Sequence, residues 1–276
     1  MEHSGKSKTN GFLLMLTLLS VAAAVAAPFF WDRFMEGQTG MIALIAVEIL
    51  LVIFIIASTH SLWKNSGSGQ WKLKSDKKGM KVYTLKNPGE TWLKIKIIGR
   101  LKGRLASILA LMRNPDAADD VGMFDSYYIP GWDPDKDGVD PKLVYYTFKQ
   151  KLFPPFKHRE FVVKSEFSQD PITKEMKFNF VAAPEMLPQD KRYFRVTEMH
   201  NKWKYTPLDN GEVQYEFIYD AVDPGGNFPY ALANWLIPAM LPFAFAKMPK
   251  ILDKDKYRNA RMDYVMEVDQ PAEVVA

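Results

Sequence analysis

Nineteen consecutive residues without a charge, Phe228 to Ala246 (FPYALANWLIPAMLPFAFA), follow directly on a stretch of alternating, strand-like sequence. A run of that length is either a membrane span or the cover of a soluble core, and its composition favours the cover. Seven of its residues are strong apolar ones: Phe228, Leu232, Leu236, Ile237, Leu241, Phe243 and Phe245. At roughly 0.3–0.6 kcal/mol each on insertion scales, they return only about 2–4 kcal/mol. Asn234 and the prolines at 229, 238 and 242 erode that gain. A long, kinked helix that is apolar all round, placed behind a β-meander, covers a concave sheet and leaves space for an apolar ligand. Trp235, Leu236 and Met240 are its expected contributions to that space.

The chain ahead of this helix opens on apolar segments of another kind. Gly11 to Trp31 is long enough, as a helix, to cross a hydrocarbon core. Ala24-Val25-Ala26 also resembles a small-residue cleavage site, which is the signal-peptide reading of the same run. A second apolar segment follows at Met41 to Ala57, and a hairpin of two spans accounts for both without cleavage. Glu48 lies near the middle of the second segment, where a carboxylate costs roughly 2.5–3.5 kcal/mol. Six Ile, three Leu, two Val and one Phe between 41 and 57 return about 4–7 kcal/mol, so the segment inserts. A neutral Glu48 bonded to Thr17 or Ser20 is the plain reading of that carboxylate, and a functional group within the membrane the sharper one.

Basic flanks set the expected topology. Lys6 and Lys8 precede the first span, and Lys64, Lys72, Lys74, Lys77, Lys78 and Lys81 follow the second, against a single Arg33 in the loop 32–40. Both termini are therefore expected on the cytoplasmic side of an integral membrane protein, with Trp31 and Trp63 near the interfaces. The lysines from Lys72 to Lys81 suit anionic headgroups, or form a solvated face. The domain plan is an anchor over 1–63 (spans at about 11–31 and 41–57), a flexible linker over 64–70 containing NSGSGQ, a folded domain over 71–252 and a tail over 253–276.

Past the linker the pattern turns to period two. Trp71–Lys74, Lys81–Lys86 and Thr91–Leu101 read as strands, and Leu101–Arg113 takes helical spacing up to Asn114-Pro115. Strands resume at Met123–Ile129, Lys142–Gln150, Arg159–Phe167, Lys174–Ala182, Lys191–Trp203 and Val213–Val222. The fold class is α+β, an antiparallel sheet closed by a C-terminal helix. One face is expected to carry Phe161, Val163 and Phe167, then Met176, Phe178 and Phe180, then Val213, Tyr215, Phe217 and Tyr219, converging on the final helix. An ordinary packed core and a lined cavity fit this pattern equally well. Ser165 and the hydroxyls of Tyr145, Tyr215 and Tyr219 are the candidate polar points within it.

In order and spacing these segments resemble a StAR-related lipid-transfer (START) domain. The matching pieces are Trp71 with Lys78-Gly79-Met80-Lys81-Val82-Tyr83, then Pro155 through Arg159-Glu160-Phe161-Val162. Pro184 and Pro188, Arg195-Val196, and Trp203 with Pro207 follow. Asp223-Pro224-Gly225-Gly226-Asn227-Phe228-Pro229 and Asn234-Trp235 complete the set, which covers about Trp71 to Leu252. The resemblance implies a helix-grip fold, in which a curved antiparallel sheet wraps the C-terminal helix and encloses a tunnel for one lipid or sterol-like molecule. It also implies loading by movement of that helix, with Pro238 and Pro242 weakening its hydrogen-bond ladder where it bends. Some sterol-binding members carry a charged pair in the tunnel. The corresponding strand position here is Ser165, so the resemblance does not carry over the ligand's identity.

Composition narrows the remaining chemistry. A formal net charge of +4 over 276 residues does not point to nucleic acid. With no cysteine there is no disulfide, thiolate nucleophile or Cys-ligated metal, and the four histidines show no metal-ligand spacing. No nucleophile elbow, P-loop or dinucleotide fingerprint occurs, so no catalytic, cofactor or metal residue is assigned. Asp133-Pro134-Asp135-Lys136-Asp137-Gly138 begins like a calcium loop, but its twelfth position is Val144, which cannot supply the bidentate carboxylate. Arg159-Glu160 reads as an ion pair at a strand start. The expected function is a membrane-anchored lipid-binding or lipid-transfer protein. The alternatives are an enzyme of cyclase or hydrolase type working in the same cavity, and a membrane scaffold for a protein partner that the sequence does not identify.

Overall fold

The computed structural model describes residues 38–77, 79–136, 138–223, 225 and 228–268. The chain forms two compact units, residues 1–66 and 67–276. The first contains helix α1, Gln38–Asn65, 28 residues long and so about 42 Å from end to end. It begins earlier and runs further than the expected 41–57; in its later turns the Thr59 hydroxyl is satisfied by the carbonyl of Ile55 (2.8 Å), and Lys64 lies in the favourable last turn. Ile45 to Ile56 present apolar side chains all round the helix, none of them fully buried. The stretch Ile45–Asn65 is long and apolar enough to cross a membrane. The other expected span, 11–31, lies outside the described residues, and with it Thr17, Ser20 and the first half of the hairpin.

The second unit is one ten-stranded sheet with one helix after its third strand and others after its last. Its strands are β1 (Lys72–Lys77), β2 (Met80–Leu85), β3 (Lys94–Lys102), β4 (Met123–Tyr128), β5 (Leu143–Gln150), β6 (Arg159–Gln169), β7 (Met176–Ala182), β8 (Phe194–Arg195), β9 (Glu198–Pro207) and β10 (Glu212–Asp223). Their order is β1-β2-β3-β10-β9-β7-β6-β5-β4, with antiparallel neighbours throughout, while the short β8 lies parallel to β6. Register shifts in β1, β4 and β10 mark bulges, which bend and coil the sheet.

Several expected boundaries move, and three do so for a visible reason. The strand expected from Thr91 begins at Lys94, because the side-chain amide of Asn234 takes the carbonyl of Thr91 (2.8 Å) and the N–H of Leu93 (2.9 Å). The helix expected from Leu101 is α2, Leu105–Arg113. Leu101 and Lys102 belong to β3, opposite Val213 and Glu212, and Glu267 caps the helix by accepting from the N–H groups of Leu105 (2.9 Å) and Ala106 (3.0 Å). The strand expected over Lys191–Trp203 divides into β8 and β9. Arg195, within that stretch, binds Glu160 and the carbonyls of Pro184, Leu187 and Pro188.

The uncharged run becomes α3, Tyr230–Phe245, followed by α4, Met248–Leu252, and α5, Asp255–Arg258. Residues expected to form a separate tail instead complete the domain as far as they are described. Tyr257 and Val265 are buried in the core. Asp120 accepts from Tyr257 (2.6 Å) and pairs with Lys254 and Lys256. Gln169 brackets the backbone of Met266 with two 2.8 Å hydrogen bonds. The tail is held by these contacts, by Glu267 on the start of α2 and by Tyr264 against Phe167.

Candidate functional site

The register of the strands composes the concave face row by row. One row runs Val82, Ile97, Phe217, Trp203, Phe178, Phe167. The next runs Thr84, Ile95, Tyr219, Asn201, Phe180, Ser165, Val144. Alternation within each strand turns all these side chains to one side. The aromatic rings touch along and across the rows: Phe178 stacks on Phe180 at 6.0 Å, Trp203 meets Phe217 at 4.4 Å, and Phe167 meets Phe178 at 5.2 Å. Neither row contains an acid or a base.

Helix α3 is attached to this face at its two ends. Near its start, Asn234 holds the backbone of Thr91 and Leu93 as described. At its end, Phe245 stacks on Trp203 at 5.2 Å and packs on Tyr215 (5.4 Å) and Phe217 (5.3 Å). Between them, Ile237 and Leu241 are partly buried against the same face. The approach to α3 is clasped as well. Arg159 donates to the carbonyls of Lys157 and Gly225 (2.9 Å), and its guanidinium lies 4.9 Å from the Phe194 ring centre. Gly225 has a φ of +60°, and any side chain there would run into Phe194, so only glycine suits the position. Phe228 packs on Phe156 at 4.7 Å beside them.

Eight of the eleven expected lining residues come together on the concave face: Phe161, Val163, Ser165, Phe178, Phe180, Tyr215, Phe217 and Tyr219. Leu236 is half-buried. Trp235 and Met240 do not join them, since they are 69% and 58% exposed. At 100° per residue, Asn234, Ile237, Leu241 and Phe245 share the inward side of α3, which turns Trp235, Met240 and the equally exposed Phe243 outward. The expected Arg159–Glu160 ion pair is also corrected. Adjacent strand residues point to opposite faces, and Glu160 pairs instead with Arg195 at 2.8 Å, both side chains fully enclosed.

The interior is apolar but not without polar atoms. Ser165 Oγ and Asn201 Oδ1 are buried with no hydrogen-bond partner among the described residues. They flank Phe180 in the same row. Burial pushes the Tyr215 hydroxyl up to about 12 and that of Tyr205 well above its ordinary value. Both stay neutral at any physiological pH. Tyr215 lies over Gly99 of β3, where a side chain would collide with the phenol. Asn201 escaped the sequence reading because the break between β8 and β9 hides its alternation. Arg113 escaped it because the last residue of an amphipathic helix reads as solvent-facing. Among the described residues no group of side chains suited to hold a metal ion occurs.

This architecture is the helix-grip fold of StAR-related lipid-transfer domains. A STAR-related lipid transfer protein fragment from Xanthomonas axonopodis superposes with a TM-score of 0.54 at 22% identity, over 65% of this chain and 96% of its own. Human STARD10 gives 0.57 at 14% identity, over 72% and 78%. Human StAR-related lipid transfer protein 5 gives 0.54 at 13% identity, over 71% and 92%. In sequence, an uncharacterized protein of Pseudomonas aeruginosa is 26% identical over 197 residues, which is 67% of this chain and 88% of that protein. No family model matches the chain. At these identities the likeness establishes the fold.

Proposed function

We propose that this is a membrane-anchored lipid-binding and lipid-transfer protein, which holds one lipid or sterol-like molecule between the concave sheet and α3. The observation that carries this reading is that α3 is apolar on both sides. Phe245, Leu241 and Ile237 face an aromatic sheet, while Trp235 (69% exposed), Met240 (58%) and Phe243 (73%) face outward. A cover between a protein interior and water needs a polar outer side. A cover that works against a bilayer does not.

The ligand is held by desolvation. Each buried CH₂ gains about 0.8 kcal/mol relative to water, and little relative to a bilayer, so exchange with the membrane stays reversible. Release follows from bending α3 at Pro238 and Pro242, which lack the N–H that a helix ladder requires. The clasp of Arg159, Phe194 and Gly225 marks the hinge side. Helix α1 supplies one span of the anchor, and the lysines from Lys72 to Lys81 face anionic headgroups on the cytoplasmic side. A reporter fused after Ala276 is expected to be cytoplasmic, and an extracytoplasmic signal reverses that topology.

The direct test is transfer. Full-length protein in donor vesicles is expected to speed movement of a fluorescent phospholipid to acceptor vesicles. Phe178→Asp and Phe217→Asp, checked for folding by circular dichroism, are expected to abolish it. Folded wild-type protein that moves and retains no lipid overturns the reading.

A further inference from the structure

The second unit contains three almost fully buried arginines, Arg113, Arg159 and Arg195. Two of them are satisfied by the protein. Arg195 spends its donors on Glu160 and on the carbonyls of Pro184, Leu187 and Pro188. Arg159 spends its donors on the carbonyls of Lys157 and Gly225. Arg113 differs. Its Nη1 donates to the carbonyl of Pro141 at 2.6 Å, while Nε and Nη2 are buried with no partner among the described residues.

Those two nitrogens form one edge of the guanidinium, the fork that matches two oxygens of a carboxylate or phosphate. The nearby Asp140 carboxylate accepts from the Lys142 N–H (2.8 Å) in its own turn. Burial pushes the Arg113 pKa down, yet a guanidinium does not lose its proton in a protein, so this buried positive charge makes no direct ion pair among the described residues and feels Asp140 only from a distance.

The surroundings of Arg113 give this charge a direction. Its guanidinium lies 5.9 Å from the ring centre of Phe167, and the buried Tyr146 phenol is close enough to feel its charge. Phe167 is two residues beyond Ser165 on the same face of β6, and Tyr146 is two residues beyond Val144, the cross-strand partner of Ser165. The neighbours of Arg113 thus bracket Ser165, whose hydroxyl is also buried with no partner among the described residues. α2, the ends of β5 and β6 and Tyr264 of the C-terminal segment close this end. The Phe228 and Gly225 clasp is at the opposite end of β6, next to Arg159.

We infer that Arg113 recognises the head of the ligand, an oxyanion (carboxylate or phosphate) held by Nε and Nη2 with Ser165 Oγ as a further donor. The inference rests on the lipid-binding reading and sharpens it: the ligand is an acidic amphipath that enters head first, its chain lying along the aromatic rows toward α3.

The test uses the full chain in dodecyl maltoside micelles at pH 8, with oleic acid, oleoyl lysophosphatidic acid and oleyl alcohol at equal concentration. Native mass spectrometry counts the lipid retained by the protein. Wild type is expected to retain one of the two acids at least tenfold over the alcohol, and which acid it retains names the head. R113M is expected to lose that preference while still taking up the alcohol, and S165A to weaken it about threefold. R113K keeps the charge without the fork and falls between. Equal retention of all three probes by wild type, or a preference unchanged in R113M, overturns the role of Arg113 and leaves lipid binding intact. Retention of none overturns lipid binding and this inference together. Should R113M fail to fold, the preference of the wild-type protein still decides.

Discussion

Apart from Glu48 and Asn234, the stretches Ile45–Ile56 of α1 and Tyr230–Phe245 of α3 carry no charged or amide side chain on any side, and the protein uses the two helices in opposite ways. α1 buries none of the side chains described from Ile45 to Ile56, whereas α3 buries Ala233, Pro238 and Phe245 and exposes Trp235, Met240 and Phe243. Length separates them first. The 28 residues of α1 extend about 42 Å and the 16 of α3 about 24 Å, against a hydrocarbon core of roughly 30 Å. Partners separate them second, since α3 has an aromatic sheet to cover and an asparagine and a phenylalanine to fix it there. Apolar composition states that a helix avoids water, and the available surfaces decide how it does so.

Removing residues 1–66 gives the largest change expected from this contrast. The protein should pass from the carbonate-resistant membrane fraction to the soluble fraction, because α3 is too short to anchor it. Retention as an integral protein would erase the distinction between the two helices. Phe245→Ala comes next, since it removes a ring packed on Trp203, Tyr215 and Phe217. It should cost about 3–5 kcal/mol in a urea titration of the folded domain. An effect below about 1 kcal/mol would mean that α3 is not packed on the sheet in solution.

Changing the other side of the same helix should separate stability from transfer. Trp235→Ser with Phe243→Ser should leave stability within about 0.5 kcal/mol, as exposed positions do. The same pair should slow vesicle transfer about tenfold, equivalent to roughly 1.4 kcal/mol of lost membrane contact. Unchanged transfer would show that the outward aromatics do not meet the bilayer.

The smallest effect concerns the C-terminal segment. Hydrogen bonds from Lys254, Lys256 and Tyr257 hold the Asp120 carboxyl well below its ordinary value. A depressed folded-state value gives a contribution that is complete above the unfolded value near pH 4 and fades as the pH falls further. Asp120→Asn should therefore melt about 2–4 °C lower than wild type at neutral pH. That gap should close in acid, and a gap independent of pH would assign the loss to packing alone.

Much of this fold was legible in the residues. Period-two alternation placed most of the strands, and the partition of Phe178, Phe180, Phe217 and Tyr219 to one face followed from it, because the period of a strand leaves only two choices. Helical faces were less legible. Trp235 and Met240 looked like lining because every side of α3 is apolar, so no polar stripe marks the outside. The path of residues 191–203 was also hidden, since a break in a strand made by a buried Arg195–Glu160 pair leaves no mark on local alternation.

By itself the sequence determined an antiparallel sheet of apolar-faced strands, a closing helix rich in proline, and a preceding helix apolar enough to leave water. These are consequences of local periodicity, chain length and solvation. Tertiary structure alone decided which side of α3 faces the sheet, that the C-terminal segment packs onto the domain, and that Arg113 is buried against Phe167 with two donors unspent among the described residues. Those outcomes depend on contacts between residues 28 to 162 positions apart, and no local window of sequence contains both partners.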